Sequence, residues 1–302
     1  MVSSHILGLV SALLAVQPAA ASEPPEQEIQ EPAEQAARDE IIVTAPPAEA
    51  ERRTQIRRMA REVVRKPRQG YPIARFFLPV CPKVVGLSPV DAETMEFRIR
   101  ENARKYGPGE RHGKNCEPNL KVVFLAESVG PASTWLDFDS ESINHLLSYQ
   151  KLRVINEEGP VRAWNVTALR DSDGRPLEAL AGLNNVRMNS RLTHPVTSEI
   201  TAAMMLIEFE AAKSKTLMQL ADYASMRAFV GTQSVDGNST IPIDTILTLF
   251  GDPSAPGELT EFDRALVAKL YTMPRNASSA RIFGAVSSRA ISLENAASGG
   301  SE

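Results

Sequence analysis

The two cysteines of this chain, Cys81 and Cys116, constrain its fold more than any other feature. They flank a predicted helix, and a predicted strand follows the second of them. In an oxidising compartment a lone pair of cysteines most simply forms one disulfide. The alternative is a metal site, because His112 and Glu117 lie near Cys116, although the Cys-x-x-Cys spacing of thiolate zinc sites is missing. The predicted disulfide would tie the helix to its strands and stabilise the fold by about 3–4 kcal/mol.

Residues 1–21 have the pattern of a secretory signal peptide. Residues 6–16 are uncharged and apolar or small, and a run of small residues at 19–22 provides a cleavage site. No cysteine lies at that site to carry a lipid anchor, and no later segment has the length of about 20 apolar residues that a membrane span needs. We therefore predict an exported protein, periplasmic or secreted, without a transmembrane segment after cleavage.

Residues 22–50 predict a disordered, acidic and proline-rich leader. The segment has eight acidic residues, a single arginine and few large apolar groups that could offset the entropy of the chain. A short β-prone run interrupts it at residues 39–45, and we interpret this run as a possible docking strand. The residues of this candidate strand are Glu40, Ile41, Ile42, Val43 and Thr44.

A basic amphipathic helix is predicted for residues 51–68. Its apolar residues recur at helical spacing and form one stripe, and Pro67 ends the pattern. Two interpretations stay open: the stripe packs on the folded body, or the helix binds anionic lipid. The members of the stripe are Ile56, Met59, Ala60, Val63 and Val64.

The pattern of elements predicts a single α+β domain over residues 71–292, followed by a flexible tail at 293–302. Its first part is the strand-helix-strand unit that contains both cysteines. The helix of that unit begins at Ser88, which can accept a hydrogen bond from the first turn, and the strand after it covers residues 120–126.

Central antiparallel strands and a helical C-terminal part complete the predicted domain. Residues 160–169 and 175–180 flank a Ser-Asp-Gly turn and predict a hairpin. Residues 199–210 predict a long central strand, with a helix as the alternative. Helical patterns dominate from Thr216 onward, so strands come early and helices late, as in α+β proteins.

No residue pattern in the chain predicts a catalytic, cofactor-binding or metal-binding site. A formal charge of −4 argues against a dedicated nucleic-acid-binding protein. Glu141 and His145 share one face of a predicted helix, where a surface ion pair and a metal site are both open interpretations. Ser148 and Lys151 match the Ser-x-x-Lys spacing of penicillin-recognising enzymes, but the companion motifs of those enzymes are absent.

Four stretches carry a resemblance to a known group of proteins. They are residues 80–87, 115–120, 219–227 and 259–271. Together they resemble a group of exported, uncharacterised alphaproteobacterial proteins of the sphingomonad type, and the likeness covers most of residues 40–290. This resemblance implies export and brings no known activity.

Residues 263–271 are also similar, more distantly, to a domain of unknown function placed among zincin-like metallopeptidases. A zincin helix presents paired metal-binding histidines beside a glutamate. The corresponding helix here offers Gln219, Asp222 and Tyr223 and has no histidine. The resemblance therefore implies no complete set of metal ligands in this chain.

Residues 39–45 are similar to the TonB box, the extended segment through which outer-membrane receptors engage TonB by strand addition. The chain is too short to hold both a plug and a large receptor barrel, so the resemblance implies a docking strand and not a receptor. An unengaged β-prone patch in a linker is the alternative.

The sequence thus favours an exported, non-catalytic protein that acts through protein contacts in the cell envelope. Its expected partner is an envelope protein bound by strand addition through residues 39–45. The alternative is a divergent zincin-like, metal-dependent hydrolase that would assemble its ligands from His112, His145 and His194. A third hypothesis is that the basic helix binds an anionic membrane.

Overall fold

The sheet at the centre of the fold is mostly parallel. The computed structural model describes residues 47–67, 71–111, 113, 116–171, 174–177, 193–235 and 240–299. Within these ranges, the strands are β1 Arg75–Phe76, β2 Pro82–Val85, β3 Leu120–Leu125, β4 Val161–Asp171 and β5 Val196–Glu208.

Strand β5 pairs with three of the other four strands. Strand β4 runs antiparallel along one of its edges, with Val161 opposite Ile207. Strands β1 and β3 lie parallel to β5 along its other edge, one after the other, and β2 is parallel to β3. The strand order across the widest part of the sheet is therefore β4-β5-β3-β2.

The predicted α+β fold with central antiparallel strands was wrong, because the arrangement is α/β with a mostly parallel sheet. Residues 160–169 and 175–180 were expected to pair as a hairpin. The described part of that hairpin is present, because Leu177 N donates to Leu169 O at 3.1 Å and Arg170 forms an antiparallel bridge with Pro176, while residues 178–180 lie outside the described residues. The long partner of β4 is β5, on its other edge. Long connections that contain helices join β2 to β3 and β3 to β5, and such crossovers bring strands together in parallel.

Helices cover both faces of the sheet. They are α1 Pro47–Val63, α2 Pro89–Lys105, α3 Ala132–Trp135, α4 Ser148–Ile155, α5 Phe209–Ala212, α6 Leu217–Val230, α7 Glu261–Thr272 and α8 Ser279–Gly299. Helix α1 begins inside the segment predicted as leader, and α8 continues through residues 293–299, which the sequence analysis assigned to the tail.

Two apolar clusters lie on opposite faces of the sheet, because successive residues of a strand point to opposite sides. The larger cluster contains Ala163 and Met205 and packs against α1, α2, α6, α7 and α8. The smaller cluster contains Trp164 and Leu206 and packs against α3, α4 and the chain between them. The sheet is therefore the middle of three layers.

The disulfide predicted between Cys81 and Cys116 is confirmed. Each cysteine lies just before a strand, so the bond joins the beginnings of the adjacent parallel strands β2 and β3, with 6.1 Å between the two Cα atoms. The side chain of Asn119 supports this junction, since its Oδ1 accepts a hydrogen bond from Cys81 N at 2.8 Å. The bond thus fixes the βαβ unit at the end where β2 and β3 begin.

The apolar stripe of α1 is buried in the larger cluster. Ile56, Met59 and Val63 have no exposed surface. Arg52 holds the helix against α8, because its Nε and Nη2 atoms donate to the carboxylate of Glu294 at 3.2 and 2.8 Å. The stripe therefore contacts the folded body of the protein.

Helix α6 is the central helix of the larger layer, with every residue from Leu220 to Val230 buried. It includes Asp222, which has no exposed surface. Arg98 of α2 donates to both oxygens of this carboxylate at 2.7 and 2.9 Å, and Asn102 donates to it at 2.7 Å. A buried carboxylate needs such partners, so these bonds position α2 against α6.

A second buried carboxylate, Asp263, joins the beginning of α7 to the chain before it. It accepts hydrogen bonds from Thr245 Oγ1 at 2.6 Å, Ile246 N at 2.8 Å and Thr260 N at 3.1 Å. Burial raises the pKa of Asp263 from 3.8 to about 6, although these hydrogen bonds act in the opposite direction. This group therefore titrates at a different pH in the folded and the unfolded chain.

We predict that Asp263 makes the stability depend on pH between about 4 and 6. Because its folded-state pKa is the higher one, the folded protein keeps the proton where the unfolded chain has lost it. This stabilisation is complete below about pH 4 and is lost as the pH rises through about 6, by about 3 kcal/mol.

The measurement compares urea-unfolding free energies of the wild type and the Asp263→Asn variant across this range. The difference in unfolding free energy between the two proteins should change by about 3 kcal/mol between about pH 4 and 6. A constant difference would show that Asp263 titrates alike in the folded and unfolded states.

Candidate functional site

The outer edge of β4 carries backbone groups that have no partner in the described part of the chain. Alternate residues of a strand direct their N–H and C=O groups to opposite edges. At one end, Ala163 N donates outward to Glu157 Oε2 at 3.3 Å, and at the other end Leu169 O accepts from the chain after the turn. Between them, the outward groups of Asn165 and Thr167 bind no described residue. We call Asn165 and Thr167 the open edge.

The opposite edge of the sheet, at β2, is covered. Its first residue, Pro82, has no N–H group to offer. Farther along, Val84 N donates to Oε1 of the buried Glu96 of α2 at 3.0 Å. Proteins commonly cover their sheet edges in this way because uncovered edges pair with other chains. The open edge of β4 differs from the β2 edge in having no such cover among the described residues.

The open edge lies at the floor of a cleft of about 390 Å³, which we call the β4 cleft. One wall consists of residues 65–67 and 71–74, which connect α1 to β1, together with Val230 and Gly231 at the end of α6. The opposite wall consists of residues 145–147 and the exposed side of α4. A segment lying along the open edge would contact both walls.

The first wall is held against the end of α6. Gly231 ends that helix in the left-handed conformation, with φ of +63°, and Gly231 O accepts a hydrogen bond from Arg65 N at 3.3 Å. Asn165 also reaches α6, because its Nδ2 donates to Ala228 O in the last turn at 3.1 Å. That carbonyl belongs to the four that a helix end leaves without an internal partner. The floor and this wall are thus directly bonded.

Helix α4 forms most of the second wall and exposes apolar side chains there. Its inner side is anchored by Val154, which is buried in the smaller cluster, and by Lys151, whose Nζ donates to a backbone carbonyl at 2.8 Å. Leu147, Tyr149 and Leu152 remain 54%, 47% and 50% exposed. Exposed apolar groups that cluster beside a cleft are typical of binding surfaces.

A buried cluster of charges lies beside a second hollow of about 380 Å³, which shares Arg65, Tyr149 and Arg153 with the lining of the β4 cleft. The carboxylate of Glu157 accepts from Arg227 Nη2 at 2.5 Å and from Arg65 Nη2 at 3.2 Å. Arg227 has no exposed surface, and its Nη1 donates to Tyr223 and Ser234 at 2.6 and 2.7 Å. Glu157 therefore neutralises a buried arginine and also binds the end of the β4 edge.

Positive charge exceeds negative charge in this region. Burial and the neighbouring charges of Arg227 and Arg153 together lower the pKa of Arg65 to about 10, while Glu157 acts in the opposite direction. Arg153 is exposed on α4 and lies over the ring of Tyr149, with 5.8 Å from its guanidinium carbon to the ring centre. The site can therefore bind an anionic group.

The residues that the sequence analysis singled out lie largely outside this cleft. Cys81 and Cys116 lie at the beginnings of β2 and β3, with β5 between them and β4. The candidate docking strand at residues 39–45 lies outside the described residues, and so does His112.

The remaining candidate ligands are not brought together. His145 lines the β4 cleft, whereas His194 precedes β5 and bonds through its backbone to Asn276. Glu141 lies in a 3-10 turn and not on a helix shared with His145. Across the described ranges, no group of three or more histidine, cysteine, aspartate and glutamate side chains is placed to hold a metal ion.

The helix that was compared with zincins has a structural role here. Gln219 forms a capping box with Thr216 at the beginning of α6. Asp222 binds Arg98 of α2, and Tyr223 accepts a hydrogen bond from Arg227. These contacts account for all three polar residues that the comparison named.

Comparisons with known proteins found no matching family model, no matching curated protein and no matching solved structure. Among the described residues, no helix combines the length and the apolar character that crossing a membrane requires. The geometry of the cleft is therefore the basis for the functional argument.

Sequence reasoning missed the residues that build the cleft. Glu157 and Arg227 are far apart in the chain, and neither belongs to a motif whose spacing suggests a pair. Arg65 was assigned only to the basic helix. Tyr149 was noted only as one of the residues between Ser148 and Lys151 in the Ser-x-x-Lys spacing. Leu147, Tyr149 and Leu152 are interspersed with polar residues, so their spacing predicts no exposed apolar face.

We predict that Glu157→Gln destabilises the protein by about 3 kcal/mol, because Arg227 would stay buried without a neutralising charge. The neighbouring variant Glu158→Gln removes an exposed carboxylate and should change the unfolding free energy by less than about 0.5 kcal/mol. Chemical unfolding of the wild type and both variants at neutral pH measures this contrast. Equal stability of the two variants would rule out a stabilising role for the Glu157 cluster.

Proposed function

We propose that this chain is an exported, non-catalytic binding protein that receives an extended segment of a partner as an added strand beside β4. The observation that carries the proposal is the open edge at the floor of the β4 cleft, where the outward backbone groups of Asn165 and Thr167 have no partner among the described residues. Strand addition satisfies such groups through main-chain hydrogen bonds.

The walls of the cleft suit a strand in this position. Side chains of an added strand alternate between the two faces of the sheet. One set would meet residues 71–74 and the end of α6, and the other set would meet α4. Leu147 and Tyr149 lie on the α4 side and would lose exposed apolar surface, which contributes favourably at about 25 cal/mol per Å² buried.

The proposal places this binding in the cell envelope. The disulfide between Cys81 and Cys116 supports this location, because such bonds persist mainly in oxidising compartments. The proposal also retains residues 39–45 as a donor strand for an envelope partner. The chain would then have a donor segment in its leader and an acceptor edge in its folded body.

A change at Thr167 tests strand addition directly. The side chain of Thr167 is exposed, and its N–H points away from β5. Thr167→Pro removes this donor, whereas Thr167→Val keeps both the donor and the β-branched shape. We predict that the proline variant binds an extended peptide at least about tenfold more weakly, because main-chain hydrogen bonds are lost, and that the valine variant binds like the wild type.

The binding assay uses fluorescence anisotropy with three labelled peptides. The peptides share one sequence of valine and threonine residues and differ only at two positions, where they carry glutamate, glutamine or lysine. Methylating the peptide nitrogens that face β4 should abolish binding, while methylating the alternate nitrogens should not. If none of the peptides binds, or if Thr167→Pro binds as tightly as Thr167→Val, the proposal is wrong.

The proposed location has its own test. We predict that the full chain, expressed in a Gram-negative host, is recovered from the periplasmic fraction or the medium without residues 1–21. Its thiols should react with an alkylating reagent only after a reductant is added, since Cys81 and Cys116 are bonded. Recovery from the cytoplasm with residues 1–21 attached and both thiols reactive would contradict export.

A further inference from the structure

We infer that the β4 cleft selects a segment with a carboxylate side chain and binds that carboxylate between Arg65 and Arg153. This inference rests on the proposed function and adds the chemistry of the bound segment. It is carried by the distribution of charge around the cleft and by the incomplete hydrogen bonding of Arg65.

Basic side chains outnumber acidic ones around the β4 cleft and the second hollow beside it. Arg65, Lys66 and Arg153 line them, and Glu157 is the one carboxylate among the described lining residues. Glu157 already neutralises Arg227, which has no exposed surface. The lining is therefore left with uncompensated positive charge beside the open edge.

Arg65 uses only part of its hydrogen-bonding capacity. Its Nη2 atom donates to both oxygens of Glu157, at 3.3 and 3.2 Å. Its Nε atom is buried and has no acceptor in the described part of the chain. A guanidinium group has five N–H donors in a planar fork that matches a carboxylate. Glu157 therefore leaves part of the charge and hydrogen-bonding capacity of Arg65 unused, and an incoming carboxylate would meet the part of the guanidinium group that lines the hollows.

Arg153 approaches from the other wall. It is exposed on α4, lines both hollows and stacks on Tyr149, and it has no carboxylate partner among the described residues. The repulsion between Arg153 and Arg65 contributes to the lowered pKa of Arg65. A carboxylate between the two groups would replace this repulsion with attraction to both.

The positions of the two arginines indicate where along the added strand the carboxylate should lie. The Glu157 cluster lies at the Ala163 end of β4, next to the open edge. A strand bonded to Asn165 and Thr167 would place the side chains of its adjacent residues near Arg65 and Arg153. The acidic residue of the bound segment should therefore lie at one end of the paired stretch and not at the other.

The test uses the full chain and the three peptides described above. We expect the glutamate peptide to bind at least about tenfold more tightly than the glutamine peptide, and the lysine peptide to bind most weakly. The preference for glutamate should shrink when ionic strength rises from about 50 mM to about 500 mM. Moving the glutamate to the opposite end of the peptide should abolish the preference.

Arg153→Gln is the informative variant, because its side chain is exposed and its loss should leave the fold intact. We expect this variant to reduce the preference for glutamate over glutamine to about threefold or less, with little change in binding of the glutamine peptide. The matched control is Arg281→Gln, which makes the same charge change at an exposed position on α8 and should preserve the preference.

Three outcomes separate the possibilities. Equal binding of all three peptides that is still lost in Thr167→Pro would overturn the carboxylate inference and leave strand addition standing. No binding of any peptide would overturn strand addition itself. Displacement of the glutamate peptide by inorganic phosphate, beyond that caused by chloride of equal ionic strength, would replace the carboxylate site with a general anion site and so contradict the inference.

Discussion

The length of β5 relative to its neighbours determines the rest of the sheet. On one edge this strand accommodates two short parallel strands, β1 and β3, one after the other. On its other edge it pairs with β4 over almost its whole length. Within the described ranges β4 is the border of the sheet. The central helix α6 packs beneath these strands, and the buried charges of Asp222 and Arg227 set its position.

Local elements of the fold could be predicted from the sequence because their signals are local. Ser88 and Thr216 accept hydrogen bonds from the first turns of α2 and α6, as such residues do at helix starts. The continuous apolar run at β3 is typical of a strand that is buried on both faces. The disulfide followed from the presence of a lone cysteine pair.

The direction of strand pairing could not be predicted in the same way. The turn signal after β4 correctly indicated that the next segment turns back onto it, as the bond from Leu177 N to Leu169 O shows, but no signal indicated that β5, much later in the chain, pairs along the other edge of β4. The apolar run at residues 202–207 is compatible with either direction of pairing, since burial on both faces does not identify the neighbouring strand. The direction of pairing depends on the connections between the strands, and it is set when the helices in those connections pack against the sheet.

The candidate site escaped sequence reasoning for a related reason. Its chemistry depends on four side chains that the fold brings close together from separate parts of the chain. They are Arg65, Arg153, Glu157 and Arg227. The open edge also has no residue signature, because it is defined by backbone groups without partners among the described residues. Motif searches detect side chains at fixed spacing, so they do not detect such a surface.

The side-chain bond from Asn165 to Ala228 has a consequence for how this surface can vary. Asn165 contributes its backbone to the open edge and its amide to the end of α6, so a substitution there affects both the edge and its attachment to the helix. Thr167 contributes only its backbone, and its side chain is exposed. Position 167 can therefore change without losing a described side-chain hydrogen bond, whereas a change at position 165 also removes the bond that ties the edge to α6.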